Sequence, residues 1–253
     1  MKKLIYIFIL AIAIIASCTK IGDSSVSSET GVDANGQGGS MAKFSISGDY
    51  LYLINETDLK IYDITNEAQP LLVNSLIVNF GIETVFTLDH YLFIGSVNGM
   101  YIYDIAVPTN IKYESFYRHI TSCDPVVAND TLAFVTLNST SSCNWQNGAN
   151  RLDVIDISNK TNPFELSSIN MESPQGLGIY ENYIFVCDGS SGVKYYDYSD
   201  PRNLEYIGNI GGIDSYDVII RENTLFLIGK DGLFQYDIED INNVNLISNI
   251  LFQ

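Results

Sequence analysis

A short strand pattern that ends in aspartate recurs five times in this chain, and this repeat constrains the fold more than any other feature. Each copy is a six-residue, mostly apolar segment with Asp at its fifth position. The copies are LKIYDI (59–64), MYIYDI (100–105), LDVIDI (152–157), VKYYDY (193–198) and LFQYDI (233–238). Their aspartates lie 41, 52, 41 and 40 residues apart, so one unit of about 41 residues is repeated and only the third copy is longer.

The residues around each Asp segment predict four strands per repeat. A second β-rich run precedes each segment, as in YLYLIN (50–55), and a two-residue polar step precedes that run. These steps are Gly48-Asp49, Asp89-His90, Asn129-Asp130, Glu181-Asn182 and Glu222-Asn223. Gly, Asn and Asp tolerate the positive φ of tight hairpin turns. One further short strand lies before each step and another follows each Asp segment, which gives four antiparallel strands, A to D.

Four-stranded units repeated at this length are typical of β-propeller blades packed around a central channel. We therefore expect an all-β fold of five blades. The blades span about 41–81, 82–122, 123–173, 174–213 and 214–253. Blade one begins with its inner strand and blade five ends on its outer strand, so the two share no strand. Closure of the ring would then depend on side-chain packing alone, and an open arc that closes by dimerisation is the alternative.

The first 40 residues predict export and lipidation. Lys2-Lys3 precedes an apolar run, 4–15, that is too short to span a membrane and fits a signal peptide. Ile15–Cys18 resembles the bacterial lipobox, which implies removal of residues 1–17 and acylation of Cys18. The polar stretch that follows, to residue 40, predicts a disordered tether. We expect a lipid-anchored protein of the bacterial cell envelope, at the outer membrane or cell surface; the alternative is an ordinary secretory signal with an incidental cysteine.

The Asp strand is followed by a Ser/Asn/Asp-rich step and often by a proline. Examples are IYDITNEAQP (61–70), VIDISNKTNP (154–163) and YYDYSDPRN (195–203). This pattern resembles the LVIVD repeat family of exported bacterial proteins, and the resemblance extends over all five repeats. It implies a β-propeller on an exported, often lipidated protein, and it brings no common catalytic residue.

The five repeat aspartates are predicted to have a structural role. They are Asp63, Asp104, Asp156, Asp197 and Asp237. An Asp at a strand end accepts hydrogen bonds from the next backbone N–H groups, as in an Asx turn. Because each blade has one such residue, the five are spread around the ring and cannot converge on one metal ion. We expect neither a metal nor another cofactor.

Charge and motif content argue against two classes of function. The 30 acidic and 13 basic residues give a net charge of −17, which would repel nucleic acid. The two histidines, His90 and His119, fall in a turn and after an outer strand, and no catalytic or nucleotide-binding motif is found. The sequence therefore predicts a binding or scaffold module that contacts an unidentified protein or glycan, and not an enzyme.

Three carboxylates support an alternative function. Asp124 and Asp217 occupy the same position near the start of strand A, and Glu83 lies one residue earlier in its blade. Because inner strands line the channel, these side chains would lie at its mouth. There they would bind a cation or serve as the acid/base pair of a glycan-cleaving propeller. The simpler interpretation is that they are hydrated polar residues.

Blade three has an insertion, 137–151, that contains the only tryptophan, Trp145. Insertions in one repeat often carry binding specificity, so an exposed Trp145 would contact a sugar or a protein partner; the alternative is that it folds back on its own blade. Cys143 of this insertion and Cys123 of the preceding connection are expected on the same face of the propeller, and we predict a disulfide between them. Cys187, inside an apolar strand, is expected to be a buried thiol.

Overall fold

The computed structural model describes residues 39–119, 125–139 and 149–252, and these residues form five four-stranded antiparallel sheets. In each sheet the strands are hydrogen-bonded in chain order, from inner strand A to outer strand D. This arrangement confirms the predicted all-β propeller of five blades. Within the described ranges, no helix is long and apolar enough to cross a membrane.

The strands have the following bounds. Blade one contains β1 (Phe44–Ser47), β2 (Tyr50–Ile54), β3 (Asp58–Asp63) and β4 (Leu71–Ile77). Blade two contains β5 (Ile82–Leu88), β6 (Tyr91–Ser96), β7 (Gly99–Asp104) and β8 (Lys112–Arg118), with a 3-10 turn at Pro108–Asn110. Blade three contains β9 (Val126–Ala128), β10 (Leu132–Leu137), β11 (Arg151–Asp156) and β12 (Phe164–Asn170). Blade four contains β13 (Leu177–Tyr180), β14 (Tyr183–Cys187), β15 (Val193–Asp197) and β16 (Glu205–Ile210). Blade five contains β17 (Ser215–Arg221), β18 (Thr224–Gly229), β19 (Gly232–Asp237) and β20 (Asn245–Leu251).

The hairpins between strands A and B begin at the predicted residue in four blades. Gly48, Asp89, Glu181 and Glu222 all have φ between 49° and 55°, the left-handed conformation that a two-residue turn of this type needs. The turn of blade three lies one residue later than predicted. There the N–H of Asn129 bonds to the carbonyl of Leu132, and the Asn129 side chain accepts the N–H groups of Thr131 and Leu132. Asn129 therefore lies just before the turn, and its side chain caps the turn.

Successive blades pack through buried apolar clusters, and the side chains of each strand B point alternately to the preceding and to the following blade. In β14, Ile184 and Val186 point back to blade three, whereas Phe185 and Cys187 point forward to blade five. The same alternation joins blades one to two and two to three. Cys187 is fully buried with a free thiol, as predicted, and its burial raises the thiol pKa well above the usual value. These clusters supply the apolar burial that holds neighbouring blades together.

The seam between blade five and blade one differs from the other four contacts. Leu53 of blade one is 38% exposed and Ile228 of blade five is 40% exposed, although both are strand-interior residues. Val186 and Cys187, their equivalents in blade four, are 0% exposed. Among the described residues, no buried apolar cluster joins the first and last blades. The contact described across this seam is the hydrogen bond from Ser40 to Asp217, and closure of the ring by side-chain packing stays a prediction, as does the open arc that closes by dimerisation.

Candidate functional site

The propeller has two distinct faces, because strands A and C run in one direction and B and D in the other. One face carries the A–B turns and the C–D connections, and we call it the turn face. The other carries the D–A connections and the B–C turns, and we call it the insertion face because β10 ends and β11 begins there, on either side of the insertion. The start of each strand A, and with it Glu83 and Asp217, lies at the insertion face.

On the turn face, each of the five repeat aspartates accepts a hydrogen bond from the backbone N–H two residues further on. The N–O distances are 2.9 Å for Asp63, 2.8 Å for Asp104, 2.9 Å for Asp156, 2.6 Å for Asp197 and 3.0 Å for Asp237. This is the Asx-turn geometry. In the C–D connection of blade four, Asp200 forms a second such bond to the N–H of Arg202. The repeat aspartates therefore shape the C–D connections.

Asp217 lies at the channel mouth on the insertion face, where it holds the start of the described chain. Its carboxylate accepts the hydroxyl of Ser40 at 3.1 Å and the N–H of Val218 at 2.9 Å. Ser40 in turn accepts the N–H of Leu177 at 2.8 Å. A single serine before blade one thus joins the inner strands of blades four and five.

Two glycines enclose the Asp217 carboxylate. A Cβ atom at Gly176 would lie 1.9 Å from Oδ1 and 2.7 Å from the Asp217 backbone, so only glycine fits there; one at Gly39 would lie 2.1 Å from Oδ2 and would displace the carboxylate. Burial raises the pKa of Asp217 to about 6, although hydrogen bonds from Ser40, Val218 and Met41 act in the opposite direction. The carboxylate is enclosed and bonded to the chain around it.

The other predicted site residues are only partly described. Glu83 is half-buried in β5, at a β-bulge between Ile82 and Thr84. Pairing with strand B places Thr84, and not Glu83, at the position equivalent to Asp217. Asp124, Trp145 and the predicted Cys123–Cys143 pair lie outside the described residues, as does Cys18. In the described part of the chain, no three His, Cys, Asp or Glu side chains are placed to hold a metal ion.

The channel next to Asp217 is narrow and apolar. It has a volume of about 240 Å³ and is lined by the inner strands of blades two to five, with Ser40 at one end. Its lining includes Phe86, Val127, Leu177 and Ile219. A polar substrate would find few hydrogen-bonding partners along these walls.

Two buried charged clusters were not predicted from the sequence. In blade four, Asp188 accepts the N–H groups of Glu172 and Ser173 and an ion pair from Lys194 at 2.6 Å. It therefore holds the connection that enters blade four. No sequence signal marks it, because a single Asp after strand B looks like any turn residue.

The second cluster lies at the contact of blades two and three, in the strand that follows the insertion. Asp153 is fully buried and pairs with Arg151 at 2.7 Å, and Arg151 also reaches Glu165 at 3.4 Å. Burial raises the pKa of Asp153 to about 6, against the opposing effect of the Arg151 charge. The only sequence signal is a charge inside the apolar run LDVID, at a position where the strand faces the previous blade.

A groove opens on the turn face, between blades three and four. This groove has a volume of about 750 Å³, with A–B turns and C–D connections at its rim and Leu88 and Ile179 among its apolar residues. The Tyr198 hydroxyl donates to the Glu181 carbonyl, and Asn129 donates to Tyr198 at 3.4 Å. The rim carries the carboxylates of Asp130, Asp156 and Glu181. A polar rim around an apolar floor is suited to binding a ligand.

Comparisons with known proteins agree with this architecture. A family model described as the LVIVD repeat matches residues 38–77 and 147–171, in the first and third repeats. No curated protein matches the chain.

Similar solved structures include a functionally unknown protein from Desulfotomaculum acetoxidans, with a TM-score of 0.68 and 12% identity over 83% of this chain and 69% of that one. A periplasmic gluconolactonase from Pseudomonas aeruginosa has a TM-score of 0.62 and 11% identity over 81% and 68% of the two chains. A protein from Lactobacillus plantarum has a TM-score of 0.62 and 14% identity over 80% and 68%. At these identities the likeness shows the fold alone. The chain therefore carries LVIVD repeats in its first and third blades, and its five four-stranded sheets form a β-propeller.

Proposed function

We propose that this propeller is an exported, lipid-anchored binding or scaffold module of the bacterial cell envelope, and not an enzyme. The observation that carries the non-catalytic part is the state of Asp217. This carboxylate is enclosed by Gly39 and Gly176 and bonded to Ser40, so its described contacts hold the chain in place. The other buried carboxylates, Asp153 and Asp188, are likewise engaged in ion pairs.

The groove on the turn face supports a binding role. It is open to solvent and lies between blades, and its rim combines amide, hydroxyl and carboxylate groups with an apolar floor. The insertion face, with Trp145 in the blade-three insertion, is the second surface that we propose for a protein or glycan ligand. The two surfaces lie on opposite faces of the propeller, so one molecule has room to bind two partners.

Photo-crosslinking in intact cells tests this binding role and separates the two surfaces. A photoreactive residue is placed at Thr131 or Asn182 for the groove and at Trp145 for the insertion, with the exposed outer-strand residue Lys112 of blade two as the matched control. We expect one surface to capture a defined envelope component that the control position does not capture. Equal capture at all positions, or none at any, would contradict a specific binding surface.

The lipid anchor is tested separately. Cys18→Ala removes the sulfur that accepts the diacylglycerol, so we expect an unprocessed chain that carries no acyl groups. Wild-type protein should fractionate with membranes, and its mass should include the acyl chains. A wild-type protein that is soluble and has no acyl mass would show that the proposed anchor is wrong.

One observation favours the alternative of a glycan-cleaving enzyme. Burial raises the pKa of Asp217 to about 6, a range in which a carboxylic acid can act as a general acid near neutral pH. Asp217→Asn keeps the size of the side chain and removes its proton transfer. We expect no glycan hydrolysis from either form; hydrolysis by wild-type protein that disappears in Asp217→Asn and in Glu83→Gln would establish the enzyme and overturn the binding proposal.

A further inference from the structure

The exposed surface of blade five carries the residue types that the other blades bury. We call the surface that a blade turns towards the next blade its leading face, and the opposite surface its trailing face. In strand B, Phe226 is equivalent to Phe185, which is fully buried on the leading face of blade four. In strand D, Ile250 is 64% exposed, whereas its equivalent Ile210 is 8% exposed. The leading face of blade five is thus apolar and uncovered.

Blade one shows the complementary surface. Its trailing face carries Phe44 and Leu53, which are 51% and 38% exposed. The equivalent residues of blade two, Val85 and Ile94, are buried against blade one. The molecule therefore exposes both halves of the type of interface that it forms four times internally.

The two faces carry little of the negative charge of the molecule. The net charge is −17, yet the acidic strand residues on these faces are confined to Asp58, at the start of β3, and to Asp217 and Asp237 of blade five. The other polar strand-interior residues are Lys60 and Ser75 on blade one and Gln235 and Ser248 on blade five. Two acidic molecules would repel one another over most of their surfaces, but these faces bring few like charges together.

We propose that a second copy of this chain docks head to tail across this seam, with the leading face of blade five in one molecule packed on the trailing face of blade one in another. Phe226 and Ile228 would then contact Leu53, as Tyr52 and Ile54 share a cluster with Ile94 inside one molecule. Within one molecule the two faces do not cover each other. Their apolar residues remain exposed, even though Ser40, before blade one, donates a hydrogen bond to Asp217 of blade five.

Such a contact is heterologous, because two different surfaces meet, so it repeats into a closed ring or a longer assembly. Apolar side chains that face water in one copy would be buried, which is the dominant favourable term in most associations. The inference concerns self-assembly and does not depend on the ligand or on the lipid anchor.

Cysteine crosslinking between two differently tagged full-length chains tests the proposal. One chain carries Leu53→Cys and the other Ile228→Cys, and both are produced in the same cells. We expect about tenfold more crosslinked mixed dimer than dimer from either variant alone. Leu71→Cys is the matched control, because Leu71 is 65% exposed and its equivalent in blade three, Phe164, is exposed as well. The wild-type chain sets the background from its own cysteines.

Two outcomes overturn the proposal. A chain carrying both substitutions that yields only an internally crosslinked monomer would show that the ring closes on itself. Mixed dimer no more abundant than with the Leu71→Cys control would show that the faces do not meet. As a second measurement, Leu53→Asp should shift wild-type assemblies to monomers in light scattering, with an unchanged far-UV circular dichroism spectrum as evidence that the variant is folded.

Discussion

Blades four and five have the same strand pattern but different surroundings. Phe185 of blade four is fully buried against blade five, whereas Phe226, at the equivalent position, is only half-buried. Ile210 and Ile250 differ in the same way. The residues themselves are equally apolar, so the difference comes from whether another blade packs against that face. The repeat determines which side chains a blade presents, and the neighbouring blade determines how much free energy their burial contributes.

The largest effect that we expect distinguishes these two phenylalanines. Phe185→Ala should lower the free energy of unfolding by about 3–5 kcal/mol, because it leaves a cavity between packed blades. Phe226→Ala should lower it by only about 1 kcal/mol at low protein concentration, where its side chain is partly hydrated. Urea titration of both variants measures the two values. Equal losses in dilute solution would show that the seam of the monomer is closed.

A smaller effect concerns Asp217, beside the seam. Its pKa is raised from 3.8 to about 6 in the folded chain, so the folded state holds the proton more tightly than the unfolded state. Stability from this group is therefore fully present below about pH 4 and is lost as pH rises through 6, a loss of about 2–3 kcal/mol. The pKa of Asp153, inside the contact of blades two and three, is raised as well, so this residue should also make the free energy of unfolding fall as pH rises.

Asp217→Asn should flatten part of this pH dependence, measured as the midpoint of thermal unfolding between pH 4 and 7. Asp63→Asn is the control, because hydrogen bonds from Thr65 lower the pKa of the exposed Asp63, and its contribution has the opposite sign. A slope that is unchanged by Asp217→Asn would contradict the raised pKa.

The smallest effect should be the same in every blade. Replacing Asp104 or Asp237 by Ala removes one Asx-turn hydrogen bond, which we expect to cost about 1 kcal/mol in blade two and in blade five alike. The turn is local and does not depend on a neighbouring blade. The matched Asp→Asn variants keep the acceptor and should lose less. A much larger loss in one blade would show that its aspartate has a second role.

Features that depend on neighbours in sequence were predicted well. The turn residues Asp89, Glu181 and Glu222 were identified from polar pairs between apolar runs, and the five repeat aspartates from their spacing. The error of one residue at Asn129 arose because its side chain, and not a positive φ, organises that turn. Turns at two adjacent positions differ little in energy, so the sequence pattern predicts the position of a turn only to within about one residue.

The site could be predicted only in part. Strand counting predicted that Asp217 lies at the channel mouth. It did not predict the hydrogen bond from Ser40, which lies 177 residues earlier in the chain. Nothing in the sequence marked Asp153 or Asp188 as buried, because burial there depends on where a connection from another blade passes. The groove on the turn face likewise depends on the spacing of two blades and on no single residue.

The sequence by itself determined the number of blades, their strand order and the apolar character of their faces. These follow from a period of two within strands and of about 41 residues between repeats, and both periods are properties of neighbouring residues. Only the tertiary structure decided that four blade contacts are buried and the fifth is not. Small rotations between successive blades add up around the ring, so the fit of the last blade to the first depends on all of them together.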